Sequence, residues 1–131
     1  MTEQPSLGLH WIVELFGCSP DVLNDLPAIC ERMKQFAANS NLTLLQLTSH
    51  QFEPHGVTAV GLLSESHFSV HTWPEHGYVA IDIFTCGGDA AFPNACQKLS
   101  ESFGAEHHAT VVIKRGDLAG RQIRCSDQSD E

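Results

Sequence analysis

Residues 8–16 alternate between two sets of side chains, and this period of two predicts a β-strand. One set contains Trp11, Val13 and Leu15, and the other contains His10, Ile12 and Glu14.

Between residues 21 and 39 the apolar positions change to the spacing of a helix. They are Val22, Leu26, Ile29, Met33 and Phe36. Proline is tolerated in a helix only near its start, so Pro27 predicts a short turn and then a main helix that begins near Asp25. The Asp25 carboxylate can cap that helix by accepting hydrogen bonds from its first N–H groups.

Apolar strands separated by turn residues follow this helix. They occupy residues 42–52, 57–64 and 78–85, and a last strand covers residues 109–114. A second helix is predicted before the last strand, with Asp89 as its N-terminal cap and Gly104 at its C-terminal end.

The element order strand–helix–strand–strand–strand–helix–strand predicts an α+β fold, a two-layer sandwich in which an antiparallel sheet carries its helices on one face. We expect a single domain over residues 1–131, with a flexible polar tail from about residue 116. The other face of the sheet then needs cover, which a second copy of the chain can provide.

Charge and cysteine content narrow the classes of partner and compartment. The net charge is −9 with seven basic residues, which argues against a nucleic-acid groove. No apolar run approaches the roughly 20 residues that span a bilayer, and no basic segment precedes the apolar run near the start. The five cysteines include no CxxC pair and indicate unpaired thiols, so we expect a cytoplasmic protein. From the charge and the apolar runs we expect neither a nucleic-acid nor a membrane partner.

The densest candidate chemistry lies in residues 63–75 and continues to Cys86. His67 and His71 share one side of a strand, but no third or fourth ligand follows at a zinc-like interval, so no metal site is expected. A serine hydrolase is also disfavoured, because no G-x-S-x-G motif surrounds Ser64 or Ser66.

A third chemistry uses more of this stretch. A serine can attack the strained carbonyl that precedes it and convert the amide to an ester, which a base then eliminates. Hydrolysis of the resulting dehydroalanine leaves a pyruvoyl ketone that binds amines and acts as an electron sink. Glu65-Ser66, His71 and Cys86 provide the bond, the base and a proton donor in order.

Three segments carry a family resemblance: SESHFSVHTWPE at residues 64–75, GY at 77–78 and DIFTCG at 82–87. Together they resemble the signature of the short prokaryotic S-adenosylmethionine decarboxylase proenzymes, which are pyruvoyl-dependent. The likeness extends from about residue 7 to residue 88 and includes FEPHGV at residues 52–57, and it is loose beyond Asp89.

The resemblance implies self-cleavage between Glu65 and Ser66, giving a β chain of residues 1–65 and an α chain of residues 66–131. Ser66 becomes the pyruvoyl cofactor that forms a Schiff base with the substrate, His71 is the base for processing, and Cys86 is the proton donor to the product.

The remaining roles concern the substrate and the assembly. The resemblance implies that Glu75 binds the ribose hydroxyls and that Phe52 holds the adenine and sulfonium. Thr58 stands where the family often has a serine that supports processing, and its hydroxyl is retained. The family's site forms between two protomers of a homodimer.

The sequence therefore predicts a decarboxylase that converts S-adenosylmethionine to its decarboxylated form and carbon dioxide for spermidine synthesis. The same pyruvoyl chemistry serves arginine and ornithine decarboxylases of the same fold, and the processing motif does not separate these substrates. An uncleaved, non-catalytic binding subunit is the alternative from a different class.

Overall fold

The computed structural model describes residues 6–64, 66–86 and 94–129 of the chain. Seven strands form one sheet: β1 Gly8–Phe16, β2 Leu44–Gln51, β3 Val57–Leu63, β4 Ser66–Trp73, β5 Tyr78–Cys86, β6 His107–Arg115 and β7 Arg124–Ser129. The helices are α1 Pro20–Leu23, α2 Leu26–Asn39 and α3 Ala95–Phe103, with a short 3₁₀ turn at Pro74–His76.

All neighbouring strands of the sheet are antiparallel, in the order β2-β3-β4-β5-β1-β6-β7. Helix α2 packs on β2 and β3, and α3 packs on β6 and against α2. The predicted α+β class, with helices on one face of an antiparallel sheet, is confirmed.

The first helical segment follows the local rules of its sequence. Asp25 accepts a hydrogen bond from the N–H of Ala28 at 3.1 Å, as expected of a cap, and Pro27 sits in the first turn of α2. Ile29 and Met33 are fully buried against the sheet, so the helical spacing of the apolar residues marks the buried side.

The second predicted helix is α3, which begins at Ala95 and ends at Phe103. Gly104 follows as its C-terminal cap and has the left-handed backbone (φ 66°) that such a cap favours. The predicted N-terminal cap, Asp89, lies outside the described residues.

The structure adds two strands to the predicted order. β4 occupies the stretch that carries the candidate chemistry, and β7 lies in the tail that was expected to be flexible. β7 pairs with β6 through backbone hydrogen bonds and lacks the apolar alternation that identifies a strand in sequence. The mobility of the rest of the tail stays a prediction.

The two faces of the sheet differ in composition. On the helix side, every second residue of the central strands is buried: Val13 and Leu15 on β1, Phe68 and Val70 on β4, and Ile81 and Ile83 on β5. No helix covers the other side among the described residues. We call that side the open face, and it carries His10, Ile12, Ser69, His71, Asp82 and Phe84. Within the described part of the chain, no helix is both long and apolar enough to cross a membrane.

Candidate active site

Ser66 and Cys86 lie side by side where β4 begins and β5 ends. Ser66 pairs with Thr85 across the two strands, and Cys86 is the next residue and is exposed. Ser66 is half-buried and has a φ of 156°, a positive value that residues with side chains rarely adopt. Glu65, the other half of the predicted scissile bond, lies outside the described residues. We call Ser66, His67 and Cys86 the reactive end of the sheet.

The imidazole nearest to Ser66 belongs to His67. Its Nδ1 atom lies 3.5 Å from the Ser66 hydroxyl oxygen, which is at the outer limit of a hydrogen bond. From the sequence, His67 was considered as a metal ligand and otherwise as a structural residue, so its approach to Ser66 was not predicted.

His71, the predicted processing base, lies away from Ser66 within one chain. It is five positions further along β4, about 17 Å at a rise of about 3.3 Å per residue. Its Nδ1 atom instead makes a 3.0 Å hydrogen bond with the hydroxyl of Thr58, its partner in β3. The structure therefore brings together Thr58 and His71, and it does not bring His71 to the bond of its own chain.

Phe52 and Glu75, the predicted substrate contacts, also lie at the far end from Ser66. Phe52 follows β2, is 45% exposed and packs edge-on against His50. Glu75 lies in the 3₁₀ turn after β4, and one of its oxygens is 2.9 Å from His55 Nε2. We call Phe52, Thr58, His71 and Glu75 the binding end.

The electrostatics of the binding end favour a charged carboxylate at Glu75. A hydrogen bond from its own backbone N–H and the neighbouring His55 imidazole hold the pKa of Glu75 below its ordinary value. An acceptor that stays ionised suits hydroxyl donors such as those of a ribose.

Aromatic side chains extend the binding end across the open face. The Trp73 ring lies 5.2 Å from that of Tyr78, which stacks on Phe16 at 5.5 Å. Tyr78 donates a hydrogen bond to Glu14, and burial together with that carboxylate raises the pKa of Tyr78 to about 12. Trp73 and Phe16 remain more than 40% exposed, so this end of the open face presents apolar side chains to solvent.

A polar chain of contacts crosses the open face between the two ends. Arg115 contacts His10 Nδ1 at 3.3 Å, His10 Nε2 lies 2.8 Å from Asp82, and Asp82 accepts a hydrogen bond from Ser69. Arginine is only a donor, so Nδ1 of His10 accepts and its Nε2–H donates to Asp82.

Asp82 is therefore the charged centre of this chain of contacts. Burial alone would raise the pKa of Asp82, but the hydrogen bonds from Ser69 and His10 outweigh it and leave the pKa below its ordinary value. Sequence reasoning missed these partners. The available signal was a lone carboxylate in the middle of an apolar strand, which needs a partner when it is half-buried.

Most of the chain resembles known proteins in sequence. A sequence model of the S-adenosylmethionine decarboxylase family matches residues 9–116. The chain is 44% identical over 109 residues to the S-adenosylmethionine decarboxylase proenzyme of Prochlorococcus marinus, covering 83% of this chain and 87% of that protein. It is 43% identical over 110 residues to the protein of the same name from Pelotomaculum thermopropionicum, covering 84% and 87%.

A solved structure agrees with this match. The crystal structure of the adenosylmethionine decarboxylase from Aquifex aeolicus has a TM-score of 0.79 and 34% identity, over 86% of this chain and 93% of that one. A family match over most of the chain and relatives above 40% identity leave one conclusion: the chain belongs to the S-adenosylmethionine decarboxylase family.

Proposed function

We propose that the chain is the proenzyme of an S-adenosylmethionine decarboxylase, a lyase that releases carbon dioxide from S-adenosylmethionine and supplies the product to polyamine synthesis. One observation carries the proposal: 44% identity over 109 residues to a protein named S-adenosylmethionine decarboxylase proenzyme. The family match includes every residue that we assign to the site. Nothing in the described structure favours arginine or ornithine as the substrate.

The cofactor in this proposal is made from the chain itself, by cleavage between Glu65 and Ser66. A pyruvoyl group at residue 66 supplies an electron-accepting carbonyl to which the substrate amine binds. Ser66 fits this origin, since it lies at a strand end beside the exposed Cys86 and has an uncommon backbone conformation. Strained backbone of this kind is concentrated at functional sites.

Cys86 donates the proton that replaces the lost carboxyl group. Its position next to the pairing partner of Ser66 places Sγ at the same end of the sheet as the reacting carbon. Catalysis by a positioned proton donor is worth about 10²–10⁴ in rate.

Two copies of the chain are needed to assemble this site. Ser66 and Cys86 lie at one end of the sheet, whereas Phe52, Thr58, His71 and Glu75 lie at the other. A substrate is much shorter than the roughly 23 Å that separate Ser66 from Trp73 along β4. No single chain therefore presents both ends to one substrate.

A homodimer with its open faces in contact resolves this separation. Two sheets stack about 10 Å apart, and a two-fold axis that runs across the strands places the reactive end of one copy over the binding end of the other. Leu62 and Trp73, which are 49% and 41% exposed, are available for such an interface on the open face. His71 then acts as the processing base on the other copy's bond, with Thr58 orienting its ring.

The compartment in this proposal is the cytoplasm. No disulfide links the cysteines of the described residues, and thiols stay reduced in a reducing compartment.

The test begins with intact mass and ends with released carbon dioxide. The purified chain is expected to separate into fragments of residues 1–65 and 66–131, the second with a blocked N-terminus. It should then release carbon dioxide from S-adenosylmethionine and not from arginine or ornithine. A single uncut 14.3 kDa chain would leave only a binding role, and activity on arginine or ornithine alone would overturn the substrate.

A further inference from the structure

The turn between β2 and β3 meets the 3₁₀ turn after β4 at the binding end. Each turn carries one of the proposed substrate contacts: Phe52 enters the first turn, and Glu75 lies in the second. The side chain that joins them is His55, whose Nε2 lies 2.9 Å from Glu75 Oε1. His55 has no role in the function proposed above.

Two anchors hold the turn that carries His55. The side-chain oxygen of Asn24 accepts a hydrogen bond from the N–H of Gly56 at 2.9 Å and another from the Gln51 amide at 3.0 Å. The same Gln51 amide donates to the Gly56 carbonyl at 3.0 Å. The backbone beside His55 is therefore tied to Asn24, the residue that follows α1.

The carboxylate of Glu75 keeps room for a ligand while His55 holds it. The side chains of His55 and Glu75 are 38% and 40% exposed, and both border a surface cavity of about 330 Å³ that Asn24 also lines. His55 engages Oε1, and the N–H of Glu75 itself occupies one further acceptor position, so the remaining lone pairs of the carboxylate are available to a ligand.

We propose that His55 is a positioning residue for substrate binding. Its Nε2–H holds the Glu75 carboxylate in the orientation that accepts hydrogen bonds from the two ribose hydroxyls. This inference rests on the proposed role of Glu75. A free carboxylate on this exposed turn samples several rotamers, and fixing one of them lowers the entropy lost when the nucleoside binds.

The test compares three variants in the full, processed protein. His55→Leu removes the hydrogen-bond donor, and His55→Gln keeps an N–H donor of similar reach. The control is His76→Gln, because His76 lies on the same 3₁₀ turn as Glu75 and influences its carboxylate only through charge. We expect His55→Leu to raise KM for S-adenosylmethionine about threefold to tenfold, the range of one lost hydrogen bond, with kcat within about twofold. His55→Gln should recover most of that loss, and His76→Gln should match the wild type.

A double-mutant cycle separates positioning from direct contact. In a Glu75→Ala background, His55→Leu should add less than about twofold to KM, because no acceptor for His55 is left at residue 75. Equal KM values for His55→Leu and the wild type would show that the ion pair between His55 and Glu75 does not contribute to substrate binding. A full effect of His55→Leu in the Glu75→Ala background would show that His55 acts independently of Glu75.

Either of those outcomes overturns this inference and leaves the proposed function intact. A wild-type protein that is inactive on S-adenosylmethionine would overturn both. Intact mass of every variant checks that self-cleavage is unchanged, so that a change in KM is not a change in the amount of processed enzyme.

Discussion

The two ends of β4 differ in how their side chains are held. At the Trp73 end, the Thr72 hydroxyl donates to the Leu23 carbonyl at 2.8 Å and accepts from the N–H of Val57 at 2.9 Å. At the Ser66 end, the hydroxyl that is proposed to react lies 3.5 Å from its sequence neighbour His67. The binding end is thus preorganised within one chain, whereas the reactive end has few side-chain contacts among the described residues.

One short motif contributes residues to two distant surfaces of the sheet. Residues 66–75 look like one cluster in sequence, but a strand extends about 3.3 Å per residue and carries the two halves to opposite ends of the sheet. In the proposed homodimer, a second copy turned end for end brings the other half of the site to each end of the sheet.

The largest expected effect concerns Ser66 at the reactive end. Ser66→Ala should leave the chain whole and abolish carbon dioxide release, because both the attacking hydroxyl and the cofactor precursor are removed. The matched control is Ser64→Ala, a change at the exposed serine after β3, which should be cleaved as the wild type is. Cleavage of Ser66→Ala, seen as two fragments on a denaturing gel, would refute the proposed origin of the cofactor.

Cys86 gives the next largest effect. Cys86→Ala should still be cleaved, while kcat falls about 10²-fold or more because the proton donor is missing. Cys125→Ala changes another exposed thiol, on β7, and should leave kcat unchanged. If Cys86→Ala remains uncut, Cys86 belongs to processing and its role here is wrong.

At the binding end, the Thr58 hydroxyl is expected to affect cleavage more modestly. Thr58→Val removes the 3.0 Å hydrogen bond to His71 at nearly constant volume, so processing should slow by about tenfold or less. Thr48→Val makes the same change at an exposed position of β2 and should process at the wild-type rate. Equal cleavage rates for the two variants, followed by mass spectrometry over time, would remove Thr58 from the processing machinery.

The smallest expected effect is on the free energy of unfolding and comes from Asp82, which lies between the two ends of the sheet. Because the folded pKa of Asp82 is lowered, its carboxylate adds stability above the unfolded value of about 3.9, and that stability is lost as the pH falls through the folded pKa. Urea unfolding of Asp82→Asn should therefore depend less on pH than the wild type below about pH 4. Asp21→Asn, at an exposed carboxylate of α1, is the control. An unchanged acid dependence in Asp82→Asn would show that the contacts to His10 and Ser69 contribute nothing.

Local patterns in the sequence predicted the fold well. The alternation of Trp11, Val13 and Leu15 predicted the strand β1, and Asp25 predicted the start of α2, since both depend on neighbours a few residues away. β7 was missed, because a strand held by backbone hydrogen bonds at the edge of a sheet needs no apolar period. The site residues were chosen from the family resemblance, and their roles stay predictions.

Contacts that depend on strand register could not be read from the sequence. His10 and Asp82 are 72 residues apart and meet only because β1 and β5 pair in one register. His55 and Glu75 meet because two turns converge at one end of the sheet. The short spacing of Ser66 and His71 suggested proximity, but the extended strand separates them.

The most direct test of whether two copies of the chain form one active site is to express two inactive variants together. Ser66→Ala lacks the reactive hydroxyl and His71→Ala lacks the base, and each should stay whole when expressed alone. When the two are co-expressed with different tags, the His71→Ala chain should be cut into residues 1–65 and 66–131, because its Ser66 meets His71 of the other copy. Mixed dimers that are isolated through both tags and contain no cleaved chain would contradict the account.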